Sequence, residues 1–436
     1  MLQTVKNAWK LPELRNKILF TIFILIVFRF GSVLSVPFVD SSVLKEAFAQ
    51  QTAGTILDYF NMLSGEAFSR ATLFALSISP YITAQIVIQL LTIAIPALER
   101  MAKEGDEGRK KLSQITRYVT VALALLTAYG YYTYIKNTAG MAIQHDGVNQ
   151  HFAAAVIIAC YCAGAAIIMW LAEKINEKGI GNGISIILLA NIVSRVPNNI
   201  IVAGRNLFTD FKFTTLIVDL LLIVIAVATV LFVVHMSDAE RRVPVQYAKR
   251  QVGRRMYGGQ STYLPLKLNM TGVMPIIFAS SIVTLPSTIG LMVGKDSTSG
   301  GFWGGFLKLF SYTSPLYSIL FFVLIIAFAY FYISISFNPI EVANNLKKNG
   351  GSILGIRPGK PTSDYIARIL SRITLIGAIF LGIIAVLPIV LTMIDQSFGS
   401  LAFAGSSIII VVGVIVETQT EIETQMSMRH YKGFLE

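Results

Sequence analysis

Ten long apolar stretches run through this 436-residue chain and leave it little freedom of fold. They are Ile18–Val36, Ala71–Ile95, Gln114–Ile135, Phe152–Leu171, Gly183–Ile201, Phe213–His235, Thr271–Val293, Leu316–Phe337, Ile373–Ile394 and Ser400–Val416. A helix needs about 20 mostly apolar residues to cross the hydrocarbon core of a bilayer. The stretches are continuous rather than alternating and too long for barrel strands, so an all-α polytopic membrane protein is predicted. Bulk composition agrees: hydrophobic residues make up 54%, charged residues 14%, and the mean hydropathy is +0.65. The first stretch has no small-residue cleavage site behind it and exceeds a signal-peptide core, so it is read as a retained helix.

Basic residues set the orientation. With the N-terminus inside, Lys6 to Lys17, Arg100 to Arg117, Lys174, Lys178, Arg241 to Lys267, Lys347 to Arg372, Arg429 and Lys432 all face the cytoplasm. The outer segments hold only Lys45, Arg70, Lys136, Arg195, Arg205, Lys212, Lys295 and Lys308. This asymmetry predicts both termini on the cytoplasmic side, and it makes the net charge of +12 mainly an orientation signal. Ten spans also divide into five and five, an N-terminal half over 1–205 and a C-terminal half over 206–436. Because five is odd, the second half is inverted relative to the first, an arrangement that commonly frames a pathway between halves.

Enzyme chemistry is nearly absent. Cys160 and Cys162 point roughly 200° apart around a helix and read as reduced packing residues. The histidines His145, His151, His235 and His430 have no metal-ligand spacing, so no metal is expected. Gly290 to Lys295 and Gly355 to Lys360 each fall one residue short of a phosphate-binding loop. No cofactor is expected, and any energy source must be a partner.

Three features differ from lipid-facing filler. The loop Ser237–Asn269 carries Arg241, Arg242, Lys249, Arg250, Arg254 and Arg255 among Tyr247, Tyr257, Tyr263, Pro244 and Pro265, which suggests a folded basic projection. Such a surface binds either phosphate backbones or acidic protein faces. The segment Asn338–Arg372 contains Gly355-Ile-Arg-Pro-Gly359, a tight hairpin in which Pro358 holds Arg357 extended. An exposed, stiffened guanidinium suits bidentate recognition of carboxylate or phosphate. Before the second span, Thr55–Phe68 is too short to cross; it reads as a surface helix or a re-entrant segment. Within that span Gln85, Gln89 and Thr92 form a polar stripe, either glue between helices or a parting interface.

Phe74-Ala-Leu-Ser-Ile-Ser-Pro-Tyr-Ile82, Gly179-Ile-Gly-Asn-Gly-Ile-Ser-Ile-Ile187, Tyr247-Ala-Lys-Arg-Gln-Val-Gly-Arg-Arg255, Gln260-Ser-Thr-Tyr-Leu-Pro-Leu-Lys267 and Gly355-Ile-Arg-Pro-Gly359 closely resemble the SecY family of bacterial protein-translocation channel subunits. The likeness runs from about Lys17 to Gly433. It implies ten helices in two five-helix halves around an hourglass pore in the bacterial cell membrane, with the small subunits SecE and SecG alongside. Unfolded preproteins with signal sequences pass through, and apolar segments leave sideways into membrane lipids. The motor ATPase SecA or the ribosome supplies the force, docking on the basic loops through Arg241, Arg242, Lys249, Arg250, Arg254, Arg255 and Arg357, the ribosome through its RNA.

The same resemblance implies a plug over roughly Phe60–Arg70, with Phe60, Asn61, Met62, Leu63, Ser64, Gly65 and Arg70. It implies a waist of Ile78, Ile82, Ile184, Leu188, Ile277 and Ile410, with Leu188 where isoleucine is common in the family. Two of these pairs are spaced i, i+4 and so share a helix face. The lateral exit falls between Thr83, Gln85 and Gln89 on the second span and Ser281 and Leu285 on the seventh. A secondary transporter of small solutes is the competing class. It would place ionisable groups at mid-membrane, where only Arg29 and Asp219 stand out and form no evident site. A passive scaffold leaves the rigid basic hairpin unexplained.

Overall fold

The computed structural model describes residues 2–51, 60, 61, 63–144, 149–209, 213–247, 250–252, 255–257, 261–293, 301–311, 314–394 and 399–432. Among these, a long helix answers each predicted stretch: α2 (Pro12–Gly31), α4 (Ser79–Ala94), α6 (Asp106–Thr138), α7 (Gln150–Lys178), α8 (Gly183–Thr209), α9 (Phe213–Asp238), α10 (Met274–Val293), α12 (Pro315–Ser336), α14 (Lys360–Ile394) and α15 (Gly399–Lys432). Shorter helices are α1 (Leu2–Trp9), α3 (Ser41–Gln51), α5 (Pro96–Lys103), α11 (Phe302–Leu309) and α13 (Pro339–Lys348). Several open on proline in the first turn, where a missing N–H costs nothing: α2, α4, α5, α12 and α13. Asn338 adds a side-chain cap to α13, its Oδ1 accepting from the Ile340 N–H at 3.1 Å.

Length and hydropathy alone qualify Gln150–Lys178, Pro315–Lys348 and Lys360–Val390 as spans among the described residues, and a fourth if α4 and α5 count together. Other helices fall short for readable reasons. Arg15, Lys17 and Arg29 sit within α2, and the uncharged part of α6 is diluted by Tyr118, Tyr129, Tyr131, Tyr132 and Tyr134. Between α4 and α5 the chain turns by 102°, because Pro96 forces Ile95 into an extended conformation and the helix cannot continue.

The second predicted span requires a correction at its start. Residues 71–78 are turns, not helix, and α4 begins only at Ser79. Ala71 (φ +48°) and Ser77 (φ +53°) are left-handed, which a right-handed helix excludes. Pro80 then restarts the chain as a helix from its first turn.

To the helical membrane part the structure adds a small sheet. Strands β1 (Glu240–Tyr247), β4 (Ser261–Lys267) and β5 (Gly351–Ile353) form it in the order β4-β1-β5, all antiparallel; β2 (Arg250–Val252) and β3 (Arg255–Tyr257) make a separate pair. Along β1, Val243 and Val245 are buried while Arg242, Pro244 and Gln246 are exposed, the period-two pattern of a one-sided strand. Val245 pairs with Ile353, so the two basic loops, a hundred residues apart in the chain, become one unit. Its core is Val243, Val245, Leu266, Leu346, Ile353, Ile366 and Ile373, which seats the sheet on the start of α14.

Among the described residues, α1 and the last turns of α15 lie on the side of this sheet. Thr4 Oγ1 donates to Glu423 Oε1 at 3.1 Å, Lys17 Nζ to Gln425 Oε1 at 3.0 Å, and Lys267 Nζ to Thr420 Oγ1 at 3.3 Å. Hydrogen bonds from Gln419 and then Thr4 hold the Glu423 carboxyl below its ordinary range.

Candidate functional site: pore, plug and docking face

Ile82 on α4, Ile184 and Leu188 on α8, Ile277 on α10, Ile410 on α15 and Ile78 in the turn before α4 are each at most 3% exposed and belong to one apolar cluster. A cavity of about 290 Å³ opens among them and is lined by Ile82, Leu188, Ile277 and Ile410. Ile78 and Ile184 pack in the same cluster but do not line it. Ser79 lines it instead, three residues before Ile82 and so on the same face of α4. The i, i+3 spacing from Ile82 is the signal that could have found Ser79. Branched aliphatic side chains around so small a space resist wetting and offer an ion no ligand.

The segment before α4 closes one end of this cavity through Phe60, Leu63 and Phe68. Its own side chains fold it: Ser64 Oγ accepts from the Phe68 N–H, and Asn61 Oδ1 accepts from the Ser69 N–H, both at 3.0 Å. Gly65 supplies a left-handed turn (φ +64°) at a point of close approach to α8, where a Cβ would stand 3.0 Å from Ser194 Oγ. Phe68 stacks on Tyr131 of α6 with ring centroids 4.4 Å apart, and the Tyr131 hydroxyl donates to the Phe68 carbonyl. At the outer edge Glu66 pairs with Arg70 at 2.6 Å and reaches Arg195 at 3.9 Å. Met62 lies outside the described residues.

Between α4 and α10 the same cavity is walled by Thr83 of α4 and by Ser280, Ser281, Thr284, Leu285 and Thr288 of α10. The hydroxyls of α10 turn back on their own helix. Ser281 Oγ donates to the Ile277 carbonyl at 2.8 Å, Thr284 Oγ1 to Ser281 at 2.9 Å and Thr288 Oγ1 to Thr284 at 3.0 Å. These α10 hydroxyls are satisfied within their own helix and need no partner on α4. Gln85 and Gln89 do not line the cavity, and the Oε1 of each is buried with no hydrogen bond among the described residues. Leu123, Leu126, Thr127 and Gly130 of α6 complete the wall. Hydropathy gives no sign of that contribution, which depends on how α6 packs beside α4 and α10.

On the sheet side Arg241 and Arg242 stand exposed on β1, and Arg242 Nε donates to Glu240 Oε1 at 2.7 Å. Arg250 and Arg255 fall on the paired strands β2 and β3; Lys249 and Arg254 lie outside the described residues. Arg357 is exposed at the tip of a turn bounded by left-handed Gly355 (φ +77°) and Gly359 (φ +108°). The Thr362 hydroxyl donates to the Arg357 carbonyl at 2.9 Å, tying that tip to the first turn of α14.

A bundle of membrane helices around an apolar cavity, walled by residues of α4, α6, α8, α10 and α15 and by the segment before α4, marks a polytopic membrane protein. Residues 72–419 match the SecY family model. The protein translocase subunit SecY of Streptomyces coelicolor is 42% identical over 452 residues, covering 100% of both chains. The chain therefore belongs to the SecY family; it is a protein-conducting translocation channel and not an enzyme. Two solved structures share its fold. One is a SecY described as having a plug domain that stabilises the closed state and maintains a membrane seal (TM-score 0.69, 17% identity, 94% of this chain and 92% of that one). The other is canine Sec61 in a ribosome-channel complex from the endoplasmic reticulum (TM-score 0.63, 16% identity, 94% and 92%). That fold carries ten membrane-crossing helices, which extends the count that hydropathy alone supports.

Proposed function

We propose that the chain rests as a closed channel in which Ile82, Leu188, Ile277 and Ile410 form the seal, with Ile78 and Ile184 packed behind them and residues 60–70 acting as the plug. The observation that carries this reading is the single cavity walled jointly by the plug segment, the waist and the α4–α10 seam. One chain threading that space displaces the plug, and an apolar segment of it leaves through the seam past Thr83, Ser281 and Leu285 into lipid. Gln85 and Gln89, behind the seam on α4, set how firmly it holds. The halves 1–205 and 206–436 frame the pathway, and their inverted relation follows from five spans each.

Energy comes from a partner on the cytoplasmic side, where positive charge concentrates and where both termini and the sheet lie. Arg241, Arg242, Lys249, Arg250, Arg254, Arg255 and Arg357 are the docking groups, for SecA in post-synthetic export and for ribosomal RNA during synthesis. SecE and SecG complete the complex in the bacterial cell membrane. Vesicles containing this chain with SecE and SecG, given SecA, ATP and a preprotein, test the reading. Protease-protected preprotein that depends on SecA is expected; no protection with every partner present overturns it.

A further inference from the structure

Asn191 is fully buried on α8, three residues past Leu188, and its sequence neighbours Ile187 and Ile192 are buried as well. Its Nδ2 donates to the Leu63 carbonyl oxygen at 2.8 Å. The Ser77 hydroxyl donates to the same oxygen at 3.1 Å, and Asn191 Nδ2 also reaches Ser77 Oγ at 3.3 Å. Two side chains from distant parts of the chain thus converge on one backbone carbonyl of the segment under the waist. Gly65 seals the contact: a Cβ there would stand 3.1 Å from both the carbonyl and the Oδ1 oxygen of Asn191. Ser77 adopts a left-handed backbone that side chains rarely take, and from that position its hydroxyl meets Leu63.

We propose that Asn191 and Ser77 form a backbone-carbonyl clip that holds residues 60–70 in place and sets the threshold for opening the empty channel. The proposal rests on the plug reading above. When the segment leaves, both donors lose the Leu63 carbonyl and keep only the longer 3.3 Å contact between Asn191 and Ser77, which opposes opening. A threaded polypeptide brings a carbonyl at every residue, and both Leu63 and Ser77 face the cavity lined by Ile82, Leu188, Ile277 and Ile410. An occupied pore therefore offers the clip a replacement acceptor that an empty pore lacks. The clip resists spontaneous opening more than opening by substrate.

Planar-bilayer conductance of the full chain, reconstituted with SecE and SecG, tests this with four channels: unaltered, Asn191→Leu, deleted for residues 60–70, and both changes together. Asn191→Leu is expected to raise resting conductance about five- to tenfold, the effect of losing one such buried hydrogen bond. It should leave the rate of preprotein transport within about twofold, because a threaded chain satisfies what remains of the clip. In the deleted channel the same substitution should do nothing further. Ser77→Ala, which leaves α8 untouched, must raise resting conductance in the same direction, and detergent melting checks that each variant folds. If the deletion leaks but neither Asn191→Leu nor Ser77→Ala does, the clip is wrong and the plug stands. An effect of Asn191→Leu that persists undiminished in the deleted channel also overturns the clip. If the deletion does not leak, the plug reading itself falls, and the clip with it.

Discussion

Gly164 of α7 meets the Leu73 backbone directly: a Cβ on Gly164 would stand 2.0 Å from the Leu73 carbonyl oxygen. No rotamer relieves an overlap between two backbones. That approach sits beside the turns 71–78, which bring Ser77 to the cavity and Ile78 into the apolar cluster next to it. Gly164→Ala should therefore destabilise the protein by about 1–3 kcal/mol, the usual cost of overpacking a closed site. Thermal melting in detergent measures it. Gly140→Ala, where nothing lies within 4 Å of the added carbon, serves as the control and should stay within about 0.5 kcal/mol of the unaltered protein.

The ten helices are legible in the sequence because continuous apolar runs encode burial in lipid directly. The basic projection is legible too, since Tyr and Pro residues break up its charge, although its pairing with β5 is not: the Val245–Ile353 register joins two loops with no local signal in either. The start of α4 escapes hydropathy because Ala71 to Ile78 are mostly apolar and run on into the span without interruption. Only the left-handed Ala71 and Ser77 and the placement of Pro80 reveal the break. Asn191 escapes for a related reason. In the sequence it is one polar residue in an apolar run, and its role appears only when Leu63, from 128 positions away, comes into reach.

Arg357→Glu tests the docking face. The side chain is exposed, so folding and membrane insertion should be unaffected, while SecA-driven transport in vesicles should fall at least about tenfold on reversing the charge of a guanidinium anchor. Arg357→Lys should recover only part of the loss, because a point charge does not reproduce the planar fork. Normal transport by the glutamate variant would reduce the turn to a topological signal.

Cysteines at Thr83 and Leu285, bridged by a short crosslinker, test the seam. Both positions wall the cavity, one on α4 and one on α10. The native Cys160 and Cys162, both free, are first replaced by serine or alanine. Completed crosslinking should block transport and lateral insertion together, and cleaving the linker should restore both. Full insertion activity with the linker intact would move the exit elsewhere.

Resting ion conductance of Ile82→Asn and Ile277→Asn channels in planar bilayers tests most directly the proposal that these two isoleucines seal the resting channel by excluding water. A polar amide in the constriction should admit water and raise conductance several-fold over the unaltered channel, with preprotein transport retained. An unchanged, tight resting state accompanied by melting lowered by about 1–3 kcal/mol would contradict the account and reduce both isoleucines to packing residues.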